Sequence, residues 1–116
     1  MVVHELDDVE IDRIFQALAD ATRRDIIRRV MRTEQSVSTL AGKYRMSFAA
    51  VQKHIAVLER ASLVGKQRRG REQIVQGNPD ILHRAARLLE AYGDICRERA
   101  ERIEDILAEP PKEPSP

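Results

Sequence analysis

The amino-acid sequence predicts a mainly α-helical domain with one small β-hairpin. Apolar residues recur at helical spacing in five segments, and two short strand-like segments flank a single turn signal. The low aromatic content of 3% and the 34% of charged residues also suit a helical protein. The 116 residues allow one domain, which we expect to cover residues 8–107, followed by a disordered tail at 108–116.

Residues that favour helix starts precede the first four helices. Asp7 lies before a helix predicted over residues 8–19, and Asp20 lies before the second helix. We expect Ser38 to cap a short third helix and Ser47 to cap the fourth. The apolar residues of these helices are Ile11, Ile14, Phe15 and Leu18; Ile26, Ile27, Val30 and Met31; Leu40 and Ala41; and Val51, Ile55 and Leu58.

A hairpin and a long fifth helix complete the chain. The strands are predicted at residues 64–68 and 73–75, with a turn at 69–71. Asn78 followed by Pro79 is a strong helix start, because proline is favoured at the first helical position. The apolar residues of the fifth helix are Ile81, Ala85, Leu88, Leu89, Tyr92, Ile95, Ile103, Ile106 and Leu107.

The third and fourth helices, joined by a short turn, have the spacing of a helix-turn-helix. A generic helical hairpin would have the same periodicity. The β-hairpin that follows at once favours a winged helix-turn-helix. We expect it to be dimeric, because a chain this small often gains stability by oligomerising.

The distribution of charge indicates a polyanionic partner. The net charge is only +1, but residues 21–77 contain thirteen basic residues against four acidic ones. A basic segment in a nearly neutral chain is typical of nucleic-acid binding. We therefore expect double-stranded DNA, with residues 47–60 in the major groove and residues 66–74 on the flanking backbone or minor groove.

The predicted DNA contacts lie on the fourth helix, the turn before it and the hairpin. Gln52 is expected to pair with adenine, while Phe48 or Ala49 contacts thymine methyl groups. Alternatively, Phe48 folds back into the core and His54 is a half-buried packing residue. The full set is Lys43, Arg45, Ser47, Phe48, Ala49, Gln52, Lys53, His54, Lys66, Arg68, Arg69 and Arg71.

Two arginines open the second helix, where the helix dipole disfavours cations. Arg23 and Arg24 therefore indicate either an anionic partner or a salt bridge to Asp20 or to the acidic N-terminus.

The runs "ALADATRRDIIRRV" and "SVSTLAGKYRMSFAAVQKHIAVLERASLVGKQRRGREQIV" resemble the ArsR-type family of bacterial winged-helix transcription regulators. The resemblance implies a homodimeric DNA-binding repressor whose first and last helices form the dimer interface. The chain departs from the family at Ala21, Phe48 and Gln52, so the operator sequence does not follow from relatives. The interface residues expected are Ile11, Phe15, Leu88, Leu89, Tyr92, Ile95, Cys96 and Ile103.

We expect no metal or other cofactor, and the resemblance is to the subgroup without metal-site motifs. The third-helix segment SVSTLAGKY has no cysteine. Asp80, His83 and Asp94 share a face of the last helix, but no second histidine accompanies them. Cys96 is expected to be a small buried apolar residue, with a redox role as the alternative.

No enzymatic motif is present, since the chain has no phosphate-binding glycine loop and no catalytic triad candidate. A winged helix used for protein–protein contact is the alternative function. One cysteine, no long apolar run and an acidic N-terminus predict a cytoplasmic protein without membrane contact or signal peptide. The sequence does not identify a small-molecule inducer.

Overall fold

A computed structural model describes residues 6–108 of the chain. It contains five helices and three strands within that part. In chain order they are α1 (Asp8–Leu18), α2 (Ala21–Arg32), β1 (Gln35–Ser36), α3 (Val37–Ala41), α4 (Phe48–Arg60), β2 (Val64–Arg69), β3 (Glu72–Gly77) and α5 (Pro79–Ala108). This mainly helical architecture with a small antiparallel sheet confirms the predicted fold class.

The chain divides into two compact units, one ending at Ala85 and the other beginning at Ala86. Each is described by itself. The predicted single domain over residues 8–107 stays a prediction. Ala108, assigned above to the tail, is the last residue of α5. The remainder of the predicted tail, residues 109–116, lies outside the described residues.

Side-chain caps fix the starts of four helices. Asp7 accepts from the amide of Glu10 at 2.8 Å, and Asp20 and Ser47 make equivalent contacts at 3.0 and 3.1 Å. The predicted cap Ser38 is wrong. Ser36 caps α3 instead, because its Oγ accepts from the amide of Thr39 at 3.0 Å, and Ser38 lies inside the helix.

The sheet has three strands in the order β1-β3-β2, all antiparallel. Sequence patterning missed β1, since two residues are too few to show alternation. Both hairpin strands are longer than predicted, and Arg69 pairs directly with Glu72. The turn is therefore only Gly70 and Arg71 rather than residues 69–71. Gly70 has φ +63°, which glycine adopts without the strain that a side chain would bring.

The hydrophobic core lies in the first unit and joins all its helices to the sheet. The predicted inward residues of α2 and α4 are confirmed, since Ile26, Val51, Ile55 and Leu58 are all fully buried. In α1 the buried residues are Ile14 and Ala17, while Ile11, Phe15 and Leu18 are half-buried.

In the second unit, α5 has no buried residue after Ala85. Most of its large apolar side chains are exposed, including Leu89, Tyr92, Ile95 and Ile103. Among the described residues, no helix is both long and apolar enough to cross a membrane.

Candidate nucleic-acid interface

Helix α4 is divided into a buried face and an exposed face. Val51, Ile55 and Leu58 anchor it in the core with no exposed area. What we call the outer face of α4 consists of Phe48, Ala49, Gln52 and Lys53, all of them exposed.

The outer face of α4 makes no polar contacts within the described part of the chain: Gln52 and Lys53 have no hydrogen bond or ion pair there. Phe48 is 48% exposed, so the alternative that it folds back into the core is wrong. Ser47 combines its cap with an exposed position at the start of the helix. These side chains are available to a partner.

The turn before α4 alternates exposed cations with half-buried anchors. Lys43 and Arg45 are exposed, while Tyr44 is half-buried. The Tyr44 hydroxyl donates to Asp25 Oδ2 at 2.6 Å, and Arg29 Nε donates to the same oxygen at 2.8 Å. The Arg29 guanidinium also lies 6.0 Å from the centroid of the Tyr44 ring. This network ties the turn to α2.

Ionisation states in this network follow from its contacts. Burial, and then the hydrogen bond to Asp25, raise the pKa of Tyr44 to about 12, so the hydroxyl remains a donor at neutral pH. The hydrogen bonds from Tyr44 and Arg29 lower the pKa of Asp25, which keeps its carboxylate charged. Sequence reasoning assigned no role to Tyr44 or Asp25. The available signal for Tyr44 was an aromatic residue between two cations in a polar turn.

His54 is engaged inside the protein. Its Nδ1 lies 3.3 Å from Arg23 Nη1 and 3.9 Å from Asp20 Oδ1, and its side chain is 22% exposed. The backbone amide of Arg23 is the main cause that lowers the pKa of Asp20, followed by the charges of His54 and Arg23. The geometry favours the half-buried alternative for His54 over a DNA contact.

Arg23 and Arg24 have a role that neither sequence-based alternative anticipated. Arg23 donates through Nε to the carbonyl of Ala17 at 2.8 Å and through Nη2 to that of Gln16 at 2.9 Å. Arg24 donates to the carbonyl of Leu18 at 2.7 Å. The last carbonyls of a helix lack intrahelical partners, so both arginines cap the C-terminus of α1.

The four hairpin cations divide into paired and unpaired ones. Lys66 Nζ lies 3.5 Å from Glu59 Oε1 in α4. Arg69 pairs with Glu34, with Nη2 donating to Oε2 at 3.1 Å and a second bond through Nη1. Arg68 donates only to the carbonyl of Gly70, at 3.3 Å.

Arg71, at the tip of the hairpin, has no hydrogen bond or ion pair among residues 6–108. Arg68 and Arg71 are therefore the hairpin cations without a carboxylate partner in this part of the chain. The predicted contacts of these four cations with DNA stay predictions, and the structure adds that Lys66 and Arg69 each have a carboxylate partner within the protein.

The predicted dimer residues differ in exposure. Ile11, Phe15 and Leu88 are half-buried, whereas the α5 residues that we call the apolar stripe of α5, namely Leu89, Tyr92, Ile95 and Ile103, are 49–60% exposed. Cys96, predicted as a small apolar residue of the dimer interface, is exposed in the single chain, and its burial by a second copy stays a prediction.

The two aspartates of α5 that were considered as metal ligands are engaged by arginines. Asp80 lies 3.2 Å from Arg84 Nη2, and Asp94 pairs with Arg97. Within residues 6–108, no group of three or more histidine, cysteine or acidic residues is arranged to hold a metal ion. The absence of a metal requirement stays a prediction.

Among the known proteins that resemble this chain, three illustrate the relationship. An ArsR-like transcriptional regulator from a Rhodococcus species is 34% identical, with a TM-score of 0.72, and the match covers 84% of this chain and 92% of that one. An HTH-type transcriptional regulator of Mycobacterium tuberculosis is 40% identical over 68 residues, which are 59% of this chain. This match spans only 64% of the Mycobacterium regulator's length.

The third is a homodimeric winged helix-turn-helix DNA-binding domain from Mycobacterium bovis, solved in solution. It is 21% identical, with a TM-score of 0.62 over 80% of this chain and 91% of that one, and this likeness shows the fold alone. No family model matches the sequence.

Proposed function

We propose that this chain, which belongs to the ArsR family of transcriptional regulators, binds specific double-stranded DNA sequences as a homodimer and represses transcription. Helix α4 enters the major groove with its outer face, and the hairpin lies on the flanking backbone or minor groove. One observation carries the proposal: a helix locked into the core on one side presents, on the other, a face that makes no polar contact with any of residues 6–108.

The outer face of α4 suits a base-reading role. The major groove admits one helix, and its base edges offer donor and acceptor patterns that an amide side chain matches. Gln52 supplies such an amide, and Phe48 and Ala49 supply apolar contact for thymine methyl groups. No acidic residue occurs on this face, so phosphates on either side of the groove are not repelled.

The exposed cations around α4 suit a positioning role. Lys43 and Arg45 flank the start of the helix, and Arg68 and Arg71 lie on the hairpin. Contacts from cations to phosphates fix the register of a protein on DNA without reading sequence. The Tyr44–Asp25 hydrogen bond supports this role by holding the turn that carries Lys43 and Arg45.

Dimerisation is proposed through the apolar stripe of α5. Side chains that are half exposed in one chain lose that exposure when a second copy covers them, and burial of apolar area stabilises association. The Mycobacterium bovis domain of the same fold is homodimeric. A contribution from Ile11 and Phe15 in α1 stays a prediction.

Two substitutions test the division between reading and positioning. Gln52→Ala is expected to remove about 1–3 kcal/mol of discrimination at one base pair and to leave the salt dependence unchanged. Arg71→Ala is expected to weaken specific and random DNA equally and to flatten the slope of log affinity against log salt by about 0.9 for each protomer in contact with the duplex. Binding is measured by fluorescence anisotropy on the DNA upstream of the protein's own gene and on a scrambled duplex.

The outcomes separate the candidate functions. If Gln52→Ala keeps the wild-type ratio between the two duplexes, α4 does not read bases. If the wild type binds both duplexes equally, the protein coats DNA without sequence preference. If it binds neither, the basic surface serves a protein partner. Repression is tested by the transcript level of the neighbouring genes after deletion, and a fall rather than a rise contradicts it.

A further inference from the structure

We propose that Glu34 is an intramolecular competitor for Arg69: its carboxylate occupies the guanidinium that would otherwise contact a DNA phosphate, and so it lowers the protein's affinity for non-specific DNA. This inference rests on the proposed function. It adds a residue outside both the helix-turn-helix and the hairpin that adjusts how strongly the hairpin binds DNA.

The contact between these two residues has the geometry of phosphate recognition. Two nitrogens of Arg69 face the two carboxylate oxygens of Glu34, with Nη2 to Oε2 at 3.1 Å and Nη1 to Oε1 as the second bond. Such a paired arrangement is also the one that guanidinium groups make with phosphate oxygens. The same donors cannot serve both acceptors, so binding one excludes the other.

Two glutamines complete the contact. Gln76 Nε2 donates to Glu34 Oε2 at 2.9 Å and to Gln67 Oε1 at 3.1 Å. Arg69 Nη2 also donates to Gln67 Oε1, at 3.2 Å. The carboxylate is thus held in place by a second donor. The hydrogen bonds from Arg69 and Gln76 lower the pKa of Glu34, which keeps it ionised at neutral pH.

The position of Glu34 follows from the strand pairing. Gln35 pairs with Val75 in the antiparallel β1–β3 ladder, so the residue before Gln35 lies beside the residue after Val75, which is Gln76. This short strand brings Glu34 to the hairpin although 35 positions separate it from Arg69 in the sequence.

Exposure argues against a purely structural role. The side chains of Arg69 and Glu34 are 47% and 40% exposed, and ion pairs this open to solvent contribute little to folding. Solvent access also lets a phosphate reach the guanidinium. Arg68 and Arg71 lie in the same hairpin without a carboxylate partner among the described residues, so the hairpin holds two available arginines and one that is occupied.

Glu34→Gln is the principal test, and Glu72→Gln is its matched control. Each change removes one negative charge from the sheet, but Glu72 has no ion pair in the described part of the chain. Affinity for a random 30-base-pair duplex is measured between 50 and 200 mM salt. Glu34→Gln is expected to steepen the salt slope by about 0.9 for each protomer in contact with the duplex, which makes the loss of affinity over this range about 3.5-fold larger per protomer, while Glu72→Gln leaves the slope near the wild-type value.

Two arginine variants test the same idea without altering Glu34. Arg69→Ala is expected to leave the slope nearly unchanged, because this cation is already occupied, whereas Arg71→Ala flattens it by about 0.9 per protomer. The double variant Glu34→Gln with Arg69→Ala is expected to return to the wild-type slope. Thermal unfolding of every variant establishes that the fold is retained.

Specific results would overturn the inference. Equal slopes for Glu34→Gln and Glu72→Gln would show that Arg69 is not released. A weaker affinity of Glu34→Gln at unchanged slope would show that Glu34 positions Arg69 for DNA rather than withholding it. Flattening by Arg69→Ala as large as that by Arg71→Ala would show that both arginines contact phosphates. A wild type that binds no duplex would instead refute the proposed function, and the inference with it.

Discussion

Helices α4 and α5 carry similar apolar patterns and use them differently. Val51, Ile55 and Leu58 on α4 have no exposed area, whereas Tyr92 and Ile95 on α5 are 56% and 60% exposed. Both sets recur at the spacing that places residues on one side of a helix. The periodicity identifies the side that becomes buried but does not identify the molecule that buries it.

This difference separates residues that maintain the fold from residues available for association. A side chain in a filled core stabilises the folded chain at any protein concentration. A side chain that only a second copy can cover adds to stability only as far as the dimer is populated, so its contribution depends on protein concentration. The predictions below use this distinction.

The largest expected effect comes from shortening a core residue. Ile55→Ala is expected to lower the free energy of unfolding by about 2–5 kcal/mol, because the lost contacts are joined by a residual cavity. The same change at Ile95 is expected to cost less than about 0.5 kcal/mol in dilute protein. Urea unfolding at several protein concentrations checks both values. Equal losses of unfolding free energy at Ile55 and Ile95 would contradict the distinction between the buried face of α4 and the apolar stripe of α5.

A charge placed in the apolar stripe of α5 is expected to prevent dimerisation. Tyr92→Glu should weaken self-association at least tenfold, about 1.4 kcal/mol, since an unpaired charge is costly to bury. Ala86→Glu is the control: it adds the same charge to an exposed position of α5 about 120° around the helix. Sedimentation at micromolar concentration provides the measurement, and a monomeric wild type would contradict the predicted dimer.

Polar contacts are expected to differ in the same way, because a half-buried hydrogen bond contributes to stability and an exposed ion pair of α5 contributes little. The changes in unfolding free energy are smaller than those of the core substitution. Tyr44→Phe removes the hydrogen bond that fixes the turn before α4, at a cost of about 1 kcal/mol in unfolding free energy. Asp94→Asn removes the exposed Arg97–Asp94 pair of α5 and is expected to leave stability within about 0.5 kcal/mol. A larger loss for Asp94→Asn than for Tyr44→Phe would reverse the comparison.

The pH dependence of stability independently tests the effect of Tyr44→Phe on Asp25. The folded pKa of Asp25 is lowered, so its contribution is present above the ordinary carboxyl pKa and is lost as the pH falls through the folded value. The Tyr44 hydroxyl is the largest cause of that shift, so in Tyr44→Phe the folded pKa of Asp25 rises toward its ordinary value, and the acid-induced loss is expected to be smaller and to be complete at a higher pH. Unfolding curves between pH 2 and 6 measure it.

The sequence predicted the features that depend on neighbouring residues. Asp20 and Ser47 cap helices through amides three positions away, and such contacts can be recognised within one turn. The predicted cap Ser38 was wrong because Ser36 satisfies the same local rule two positions earlier, at the end of a strand that the sequence pattern did not reveal.

Long-range contacts lay beyond sequence reasoning. The pairing of Arg69 with Glu34 depends on the sheet, and the exposure of Cys96 depends on what covers α5. Sequence reasoning identified the basic residues of the candidate interface and expected them at the protein surface. It did not reveal which of them another residue of the chain already neutralises.

One guanidinium, that of Arg23, joins three elements: it lies in α2, donates to the last carbonyls of α1 and lies within 3.3 Å of His54 on α4. Lysine carries all its donors on a single nitrogen, so it cannot span acceptors that lie apart. An exchange of Arg23 for lysine would therefore preserve the charge while severing at least one of these links. Position 23 is therefore expected to tolerate fewer substitutions than its place on a polar helix would indicate.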